Sequence, residues 1–201
     1  MIAAIIPAAG MSMRMGAPNK LLLTLKGKPL IEHAVDTLLS SEVDEVIVVL
    51  GYEAEQVKEQ LDGKQVKFVE NPNYRQGLST SIHVGLAAVS PEANGIMIYL
   101  ADQPLLEPDD VNRLIKAFAQ AKAQSKSIVV PVFRGRRGNP VILDSGYKAA
   151  ILEVVGDVGC KRLIKRNPDQ VLMVEMETDH VVRDIDRIED YEELLRDNQG
   201  R

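Results

Sequence analysis

Two runs of the sequence, EVIVVL at residues 45–50 and GIMIYL at residues 95–100, consist almost entirely of apolar residues. Such runs are typical of strands whose two faces are both covered, as in a parallel sheet. The alternation of strand-like and amphipathic stretches predicts an α/β fold of three layers, with a mostly parallel sheet flanked by helices. Further strands are predicted at 3–7, 66–69, 127–132 and 171–175, and helices at 29–41, 53–61, 79–89, 108–124 and 145–154.

The composition predicts one folded domain over residues 1–201. Hydrophobic residues make up 45% of the chain and charged residues 26%, which is the balance of a globular protein with its own core. The sequence contains no internal repeat, no low-complexity tract and no linker rich in Pro, Gly and Ser. A chain of this length and uniformity is expected to form a single domain.

Charge and cysteine content argue against several classes of protein. The net charge is −5, basic residues are interleaved with acidic ones, and only 4% of residues are aromatic. A nucleic-acid-binding protein would normally show a basic stripe and exposed rings. The single cysteine, Cys160, excludes an internal disulfide and a cysteine-based zinc site. Without a signal peptide or a run long enough to span a bilayer, the chain is expected in the cytoplasm, away from membranes and nucleic acid.

The segments that follow the predicted strands are the candidate binding loops, because open α/β sheets bind ligands beyond the carboxyl ends of their strands. The first, PAAGMSMRMGAPNK, combines small residues with two cations. Ala8, Ala9 and Gly10 let backbone amides approach an anion closely, and Arg14 and Lys20 could neutralise phosphates. The loop matches neither common phosphate-binding glycine pattern. An ordinary surface turn with solvated cations is the alternative.

Two acidic segments follow apolar runs further along the chain. Asp102 comes directly after the strand predicted at 95–100, where a carboxylate could hold Mg²⁺ against phosphate oxygens. The run VVRDID at 181–186 resembles another strand, whose alternation would put Asp184 and Asp186 on one face. Either could be a second metal ligand. Considered alone, Asp102 is better explained as a turn cap and the second pair as solvated strand-end residues.

Three further polar segments could contact substrates. The cationic loop RGRRGNP predicts an anionic second substrate, with a hairpin of solvated arginines as the alternative. The turn GDVG could shape the pocket of that substrate. In NPNYRQGLSTS, contacts to a nucleoside compete with helix capping by Ser79 as the explanation. The candidate residues in these segments are Arg136, Gly138, Asn139, Pro140, Gly156 and Asp157 for the second substrate, and Gly77, Ser79 and Ser81 for the nucleotide.

Together these segments provide what phosphoryl or nucleotidyl transfer requires, namely positioning and charge neutralisation. The sequence offers no obvious pair of nucleophile and general base. That absence is informative if the attacking group is itself a phosphate, since a phosphate monoester has a second pKa of about 6 and arrives already ionised. The residues therefore predict a nucleotidyltransferase that acts on a phosphorylated acceptor.

The same segments resemble a known family. PAAGMSMRMGAPNK is similar to the LAAGxSxRMGxxK signature of the MobA-like nucleotidyltransferases, and within them to the molybdenum cofactor cytidylyltransferases. NPNYRQGLSTSIHVGL, LADQP, GRRGNPVIL, GDVGCKRLI and DIDRIEDYEEL follow in that family's order. The resemblance extends over essentially the whole chain, and its specificity lies in the combination of segments.

The resemblance implies a Rossmann-like GT-A nucleotidyltransferase fold, dependence on Mg²⁺, and transfer of CMP from CTP to the terminal phosphate of molybdopterin cofactor. It implies that Arg14 and Lys20 bind phosphates and that Asp102 is the metal ligand, beside which the residues themselves suggest Asp186. The dipeptide Ala8-Ala9 matches the cytidylyl form of the signature. The resemblance further implies Ala8, Ala9, Gly10 and Ser12 along the nucleotide, Gly77 and Ser81 near the nucleoside, and residues 138–140 on the pterin side.

Two alternatives remain open at the level of the sequence. Pro7 replaces the usual Leu of the signature, and PAAG also occurs in cytidylyltransferases of isoprenoid synthesis. The acceptor could therefore be a phosphorylated sugar, polyol or isoprenoid precursor. A non-catalytic carrier that delivers molybdopterin during a transient contact with a molybdenum apoenzyme is the second alternative.

Overall fold

The structure, a computed structural model, describes residues 1–12, 19–156 and 159–199. Ten strands and seven α-helices lie within these ranges, with short 3₁₀ turns between them. The strands are β1 Ile2–Pro7, β2 Thr24–Leu25, β3 Lys28–Pro29, β4 Glu45–Leu50, β5 Lys67–Glu70, β6 Gly95–Ile98, β7 Ile128–Phe133, β8 Arg136–Arg137, β9 Val141–Asp144 and β10 Val171–Glu175. The α-helices are α1 Leu30–Leu39, α2 Ala54–Glu59, α3 Leu78–Ala88, α4 Pro108–Ala121, α5 Lys148–Leu152, α6 Lys161–Arg166 and α7 Ile188–Gln199.

The main sheet has the strand order β10-β7-β9-β6-β1-β4-β5, and β8 pairs with β7 in a hairpin. Its neighbours run parallel from β6 through β1 and β4 to β5, and again between β10 and β7. Strand β9 is antiparallel to both β6 and β7. The expectation of a mostly parallel sheet flanked by helices is confirmed. Strand β9 escaped prediction because its apolar run is only three residues long, VIL, between a polar loop and a turn.

Strand β1 shows why the central strands are apolar on both faces. Ala3 and Ile5 belong to the apolar cluster that contains α3 and α6, whereas Ala4 and Ile6 belong to the cluster that contains α1 and α4. All four are fully buried. Because successive side chains of a strand point to opposite faces, a strand between two helical layers requires an apolar residue at every position.

The predicted elements are confirmed with shifts of a few residues at their ends. The main departure is 181–186, where the prediction of a strand is wrong. Residues Asp179–Val182 form a 3₁₀ turn, and an irregular segment leads from it to α7. Ile185 is buried in a small separate cluster with Leu194 of α7. The segment therefore crosses the end of the sheet instead of joining it, and α7 holds it there.

The sequence did not predict helices α6 and α7. No helix in the described part of the chain is long and apolar enough to cross a membrane. Cys160 is buried, with 6% of its surface exposed, and precedes α6. Burial raises the pKa of its thiol to about 11, so that the thiol stays protonated at neutral pH.

Helix α3 approaches the sheet closely at Gly85. An added Cβ at this position would lie 2.4 Å from Cγ2 of Ile5 and 3.0 Å from Cγ2 of Val49. Both neighbours are fully buried and cannot move aside. Gly85 thus sets the distance of α3 from β1 and β4, and with it the position of the loop that precedes the helix.

Replacing Gly85 by Ala should destabilise the protein. Alanine favours helix by about 1 kcal/mol over glycine, but overpacking of a rigid core costs about 1–3 kcal/mol, so the steric term should prevail. Urea unfolding measures the change in free energy. In the double variant Gly85→Ala/Ile5→Ala the loss should fall short of the sum of the two single losses by roughly 1 kcal/mol. Additive losses would show that Ile5 is not the obstacle.

Candidate active site

A cleft of about 480 Å³ opens at the carboxyl ends of β1 and β6. One wall comes from the loop after β1 and the turn at Lys20–Leu22, a second from the loop before α3, and a third from the turn after β6 with Asp186. Its lining comprises Pro7, Gly10, Met11, Ser12, Lys20, Leu21, Tyr74, Arg75, Gly77, Leu78, Ser81, Leu100, Ala101, Asp102 and Asp186. The cleft thus lies where ligands of open α/β sheets bind.

Lys20 is positioned by polar contacts on both sides of it in the chain. The side chain of Asn19, only 2% exposed, accepts a hydrogen bond from the amide of Leu21 at 3.1 Å and so caps the 3₁₀ turn Lys20–Leu22. The amide of Lys20 donates to Oγ of Ser12, also at 3.1 Å. These contacts fix the backbone of Lys20 and therefore the position from which its side chain extends. Asn19 is a structural residue of the site to which the sequence had assigned no role.

The ammonium of Lys20 lies among three oxygen atoms. Its Nζ is 2.6 Å from Oδ2 of Asp102, 3.1 Å from the carbonyl oxygen of Ile185 and 3.4 Å from Oδ1 of Asp186. The side chains of Lys20 and Asp102 are 18% and 16% exposed, whereas that of Asp186 is 42% exposed. Partial removal from water strengthens the attraction between these charges relative to a surface pair.

The carboxylates of Asp102 and Asp186 are oxygen ligands of the kind that divalent cations bind. Oδ1 of Asp102 is buried and has no hydrogen-bond partner among the described residues, although a buried carboxylate oxygen normally has one. No group of three or more His, Cys, Asp or Glu that could hold a metal occurs in the described ranges. A cation bound by Asp102 and Asp186 would therefore complete its coordination with water and substrate phosphates, as Mg²⁺ commonly does.

The segment that carries Asp186 is tied to the turn that carries Asp102. The amide of Ile185 donates to the carbonyl of Asp102 at 2.9 Å. The buried side chain of Gln103 donates through Nε2 to the carbonyl of Val181 at 3.0 Å. These bonds explain how two carboxylates far apart in sequence meet. Gln103 is a second residue whose role the sequence did not reveal.

Asp184 lies on the other side of this segment. It lines a neighbouring cavity of about 380 Å³ together with Arg136 and Arg183. Desolvation, followed by repulsion from Asp102 and Asp186, raises the pKa of its carboxyl. Because only Asp186 reaches Lys20 and lines the cleft, the geometry favours Asp186 over Asp184 as the second metal ligand.

The loop before α3 is held by Asn71, which is 1% exposed. Its Nδ2 donates to Oγ1 of Thr80 at 2.9 Å and to Oγ of Ser81 at 3.0 Å. Its Oδ1 accepts from the amide of Asn73 at 2.9 Å. Gly77 adopts a φ of 107°, which disfavours other residues, and precedes the first residue of α3. The candidate nucleotide residues Gly77 and Ser81 both line the cleft.

Ser79 has a different position from the one expected of a nucleotide ligand. Its side chain is buried, and its Oγ accepts from the amide of Gly156 at 3.0 Å. The amide of Ser79 in turn donates to the carbonyl of Gly156 at 3.1 Å. Neither residue lines the cleft, and Ser79 does not cap α3 through its side chain. The two residues join α3 to the turn after α5.

Ala8 and Ala9 lie beneath the cleft with their side chains buried. The carbonyl of Ala9 accepts from the amide of Tyr52 at 3.2 Å. A Cβ added to Gly51 would lie 2.6 Å from that of Ala9, so the two residues are packed together. Gly10 and Ser12 line the cleft. Candidate residues Arg14 and Asp157 lie outside the described residues.

The arginine-rich loop does not line the cleft. It forms the hairpin of β7 and β8, in which Arg136 and Arg137 are exposed. The amide of Asn139 donates to the carbonyl of Val181 at 2.9 Å, and a Cβ on Gly138 would lie 2.1 Å from that oxygen. Residues 138–140, expected on the side of the second substrate, thus support the segment before Asp186, and Pro140 is buried.

A profile of the MobA-like NTP transferase domain matches residues 4–171. The chain belongs to the MobA-like NTP transferase family. This MobA-like NTP transferase is 30% identical over 198 residues to the nicotine blue oxidoreductase of Paenarthrobacter nicotinovorans, with 96% of each chain covered. It is 36% identical over 115 residues to the bifunctional protein GlmU of Saccharophagus degradans, of which it spans 25%.

Solved structures extend the likeness. A homologue of Mycobacterium tuberculosis Rv0371c from Mycobacterium sp. strain JC1 has a TM-score of 0.83 at 30% identity, covering 98% of this chain and 96% of that one. A nucleotidyl transferase from Methanothermobacter thermautotroptrophicus has a TM-score of 0.80 at 26% identity, covering 98% and 99%. Rv0371c in complex with manganese has a TM-score of 0.76 at 27% identity, covering 97% of both. The fold is that of GT-A-like nucleotidyltransferases, and a divalent metal occurs in one of these relatives.

Replacing Lys20 by Met should strengthen metal binding in the absence of nucleotide. The substitution keeps an unbranched side chain that is one atom shorter and removes the cation that competes for Asp102 and Asp186. We expect the affinity for Mn²⁺ to rise at least about tenfold, which corresponds to about 1.4 kcal/mol. Titration followed by electron paramagnetic resonance measures the affinity.

Two further variants control this experiment. Lys20→Arg keeps the positive charge and should show no gain in Mn²⁺ affinity. Lys20→Met combined with Asp102→Asn should lose the gain, because it removes a ligand of the site. Equal affinities of the wild type and Lys20→Met would show that the lysine does not compete with a metal for these oxygens.

The pair of His180 and Asp110 fixes the 3₁₀ turn against α4. Nδ1 of His180 lies 2.8 Å from Oδ2 of Asp110, and the same carboxylate accepts from the amide of Glu107 at 3.0 Å. The hydrogen bond to Asp110 raises the pKa of His180, with further contributions from Glu107 and Asp179. Burial alone would raise the pKa of Asp110, but hydrogen bonds from His180 and the Glu107 amide outweigh it and lower that pKa.

This pair should make stability depend on pH. A raised histidine pKa gives a contribution that is complete below the ordinary value of 6.5 and is lost as the pH rises through the folded value. The lowered pKa of Asp110 gives a contribution present above 3.8 and lost at lower pH. Between about pH 6 and about pH 9, the melting temperature of His180→Gln should therefore fall less than that of the wild type. Identical losses in differential scanning calorimetry would contradict the assignment.

Proposed function

We propose that this MobA-like NTP transferase is a Mg²⁺-dependent cytidylyltransferase that moves CMP from CTP to the terminal phosphate of molybdopterin cofactor and releases pyrophosphate. The observation that best supports nucleotidyl transfer is that Lys20 forms ion pairs with Asp102 and Asp186 in the cleft. A cation beside two carboxylates suits a substrate that brings a metal and a chain of phosphates. The choice of cytidine and of molybdopterin rests on the resemblance of the sequence segments.

The reaction requires little from the protein beyond position and charge. An oxygen of the acceptor phosphate forms a bond to the α-phosphorus of CTP while the bond from that phosphorus to the pyrophosphate oxygen breaks. The acceptor phosphate is already ionised near neutral pH, since its second pKa is about 6, and no proton has to be removed. In agreement with this, none of His33, His83 and His180 lines the cleft.

The residues divide these tasks by their position. Asp102 and Asp186 would hold Mg²⁺, which when bound supplies positive charge to the reacting phosphates. Lys20, anchored by Asn19 and Ser12, lies where it can neutralise the phosphate chain once it exchanges carboxylate oxygens for phosphate oxygens. By the family likeness, Arg14 adds a second cation from the same loop. Gly77 and Ser81 are proposed contacts of the nucleoside.

Base selection is proposed to depend on the region around Ala8 and Ala9. Their buried side chains pack below the cleft, and Ala9 touches Gly51 closely. We therefore expect these residues to act through the shape of the backbone that they support. For the acceptor, Arg136 in the neighbouring cavity and the turn at Gly156 and Asp157 stay predicted contacts.

Pyrophosphate release tests the proposal directly. The protein is incubated with Mg²⁺, each of CTP, GTP and ATP, and one of several acceptors, namely molybdopterin cofactor, a sugar phosphate and a polyol phosphate. We expect the highest rate with CTP and molybdopterin cofactor. A higher rate with another phosphorylated acceptor would identify the alternative cytidylyltransferase. A higher rate with GTP would contradict the proposed role of Ala8-Ala9.

Asp102→Asn should abolish most of this activity. The amide keeps the shape of the side chain but loses the charge that would bind Mg²⁺, so we expect kcat to fall at least about 100-fold, equivalent to about 2.7 kcal/mol. Asp62→Asn, an equal change of charge at an exposed turn, is the matched control and should keep wild-type activity. Full activity of Asp102→Asn would exclude it as metal ligand.

A non-catalytic molybdopterin carrier is the main competing function. Such a carrier in the cytoplasm would bind molybdopterin and transfer it on transient contact with an apoenzyme, without using a nucleotide. The buried oxygen of Asp102 argues for metal-assisted chemistry, because a pure binding protein gains nothing from it. Binding of molybdopterin with no pyrophosphate released for any nucleotide would favour the carrier.

The relative named nicotine blue oxidoreductase adds a different test, because it matches nearly the whole chain. Reduction of nicotine blue by this protein, assayed with a reduced nicotinamide cofactor, would point to redox chemistry. We expect no such turnover, since hydride transfer does not call for the paired carboxylates and lysine of this cleft. Turnover that survives Asp102→Asn would show that the reduction does not require this carboxylate.

A further inference from the structure

The charged residues that line the cleft within the described ranges are Lys20, Arg75, Asp102 and Asp186. Lys20 is engaged with both carboxylates. Arg75 has no ion-pair partner in the described part of the protein, and its guanidinium Cζ lies 5.5 Å from the centre of the Tyr74 ring. Of these cations, Arg75 is thus the one whose charge is not balanced by a carboxylate.

Arg75 stands on a well-supported loop. It belongs to the 3₁₀ turn Tyr74–Gln76, and the buried side chain of Asn71 accepts from the amide of Asn73 before that turn and donates to the hydroxyl of Ser81 after it. The Tyr74 side chain packs on the chain after β4, where a Cβ on Gly51 would lie 2.9 Å from that of Tyr74. The Tyr74 side chain is therefore packed at its base against the chain that follows β4.

We propose that Arg75, whose guanidinium lies over the Tyr74 ring, binds a phosphate group of the substrates across the cleft from Lys20. The inference rests on the proposed nucleotidyl transfer for the identity of the phosphate, but its ligand chemistry is simply a phosphate anion. A planar guanidinium can donate two parallel hydrogen bonds to phosphate oxygens. The cation–π contact with Tyr74 limits its orientations, so less freedom is lost when a phosphate binds.

The charge of the cleft supports this assignment. The substrates bring several negative charges. Asp102 and Asp186 add two more, which already neutralise Lys20 and one of the charges of a bound metal ion. A metal ion held by the carboxylates neutralises only part of the phosphate chain, so the opposite wall needs a cation of its own. Arg75 is the described residue that supplies it there. In this arrangement Tyr74 is a positioning residue that acts through Arg75.

Inorganic tripolyphosphate is the first probe, because it lacks both the base and the acceptor. Isothermal titration in the presence of Mg²⁺ compares wild type, Arg75→Ala and Arg75→Lys. We expect at least about tenfold weaker binding for Arg75→Ala and an intermediate loss for Arg75→Lys, which keeps the charge without the planar donors. Lys58→Ala is the matched control, since Lys58 also lies over an aromatic ring, that of Phe68, but outside the cleft lining.

The second probe separates the two sources of phosphate. A phosphate of the nucleotide predicts weaker binding of tripolyphosphate and CTP in Arg75→Ala. A phosphate of the acceptor predicts unchanged nucleotide binding and a KM for the acceptor raised at least about tenfold, with kcat changed far less. If neither the binding of tripolyphosphate and CTP nor the acceptor KM changes, or if Lys58→Ala causes equal losses, the proposal is overturned.

The stacking role of Tyr74 is tested by two substitutions. Tyr74→Phe keeps the ring and should retain wild-type binding of the phosphate probe. Tyr74→Leu keeps an apolar side chain without the ring and should reproduce part of the loss seen in Arg75→Ala. Combined with Arg75→Ala, it should add nothing further, because both changes remove the same interaction. Independent, additive losses would contradict a role exerted through Arg75.

These experiments can fail separately from the test of the proposed function. Tripolyphosphate binding needs no turnover, so a protein that releases no pyrophosphate with any substrate can still show the loss in Arg75→Ala. Conversely, an active cytidylyltransferase with unchanged phosphate binding and acceptor KM in Arg75→Ala would retain its proposed function and lose only this inference.

Discussion

The ammonium of Lys20 between Asp102 and Asp186 is the interaction on which the cleft depends. It joins residues that are 82 and 166 positions apart in the chain. Two carboxylates brought together at the end of a sheet repel each other and lose part of their hydration, and the lysine offsets both costs. Exchange of this cation for a metal would keep both carboxylates neutralised while the lysine passes to phosphates.

Several contacts outside the cleft hold one irregular segment, residues 179–186. The turn Asp179–Val182 is fixed by His180 on Asp110, and its Val181 carbonyl accepts from both Gln103 and Asn139. Beyond it, Ile185 is buried against α7. The resemblance had suggested a substrate role for residues 138–140. In the structure these residues contact the backbone at Val181 and so support the segment that leads to Asp186. Arg136 lines a separate cavity.

The local parts of the fold could be predicted from the sequence. Apolar runs such as EVIVVL can be recognised within a few residues, so most strands of the main sheet followed directly from the sequence. Gly77 was a candidate nucleotide contact by resemblance, and the structure places it in the lining of the cleft. The prediction failed where the signal was short or depended on distant partners. VIL gave no evidence of strand β9, and VVRDID alternated like a strand although its hydrogen bonds go to the turn after β6. Ser79 likewise looked like a cap or a ligand, because its bond to Gly156 joins distant positions.

The sequence alone determined the α/β architecture, the edge at which ligands bind and the residue types available there, since these follow from periodicity, turn residues and the direction of parallel strands. Only the tertiary structure decided which charges meet. It paired Lys20 with Asp102 and Asp186, turned Asp184 toward a separate cavity and left Arg75 without a carboxylate partner among the described residues. The reason is physical: electrostatic interactions depend on distance and burial in space, which separation along the chain does not encode.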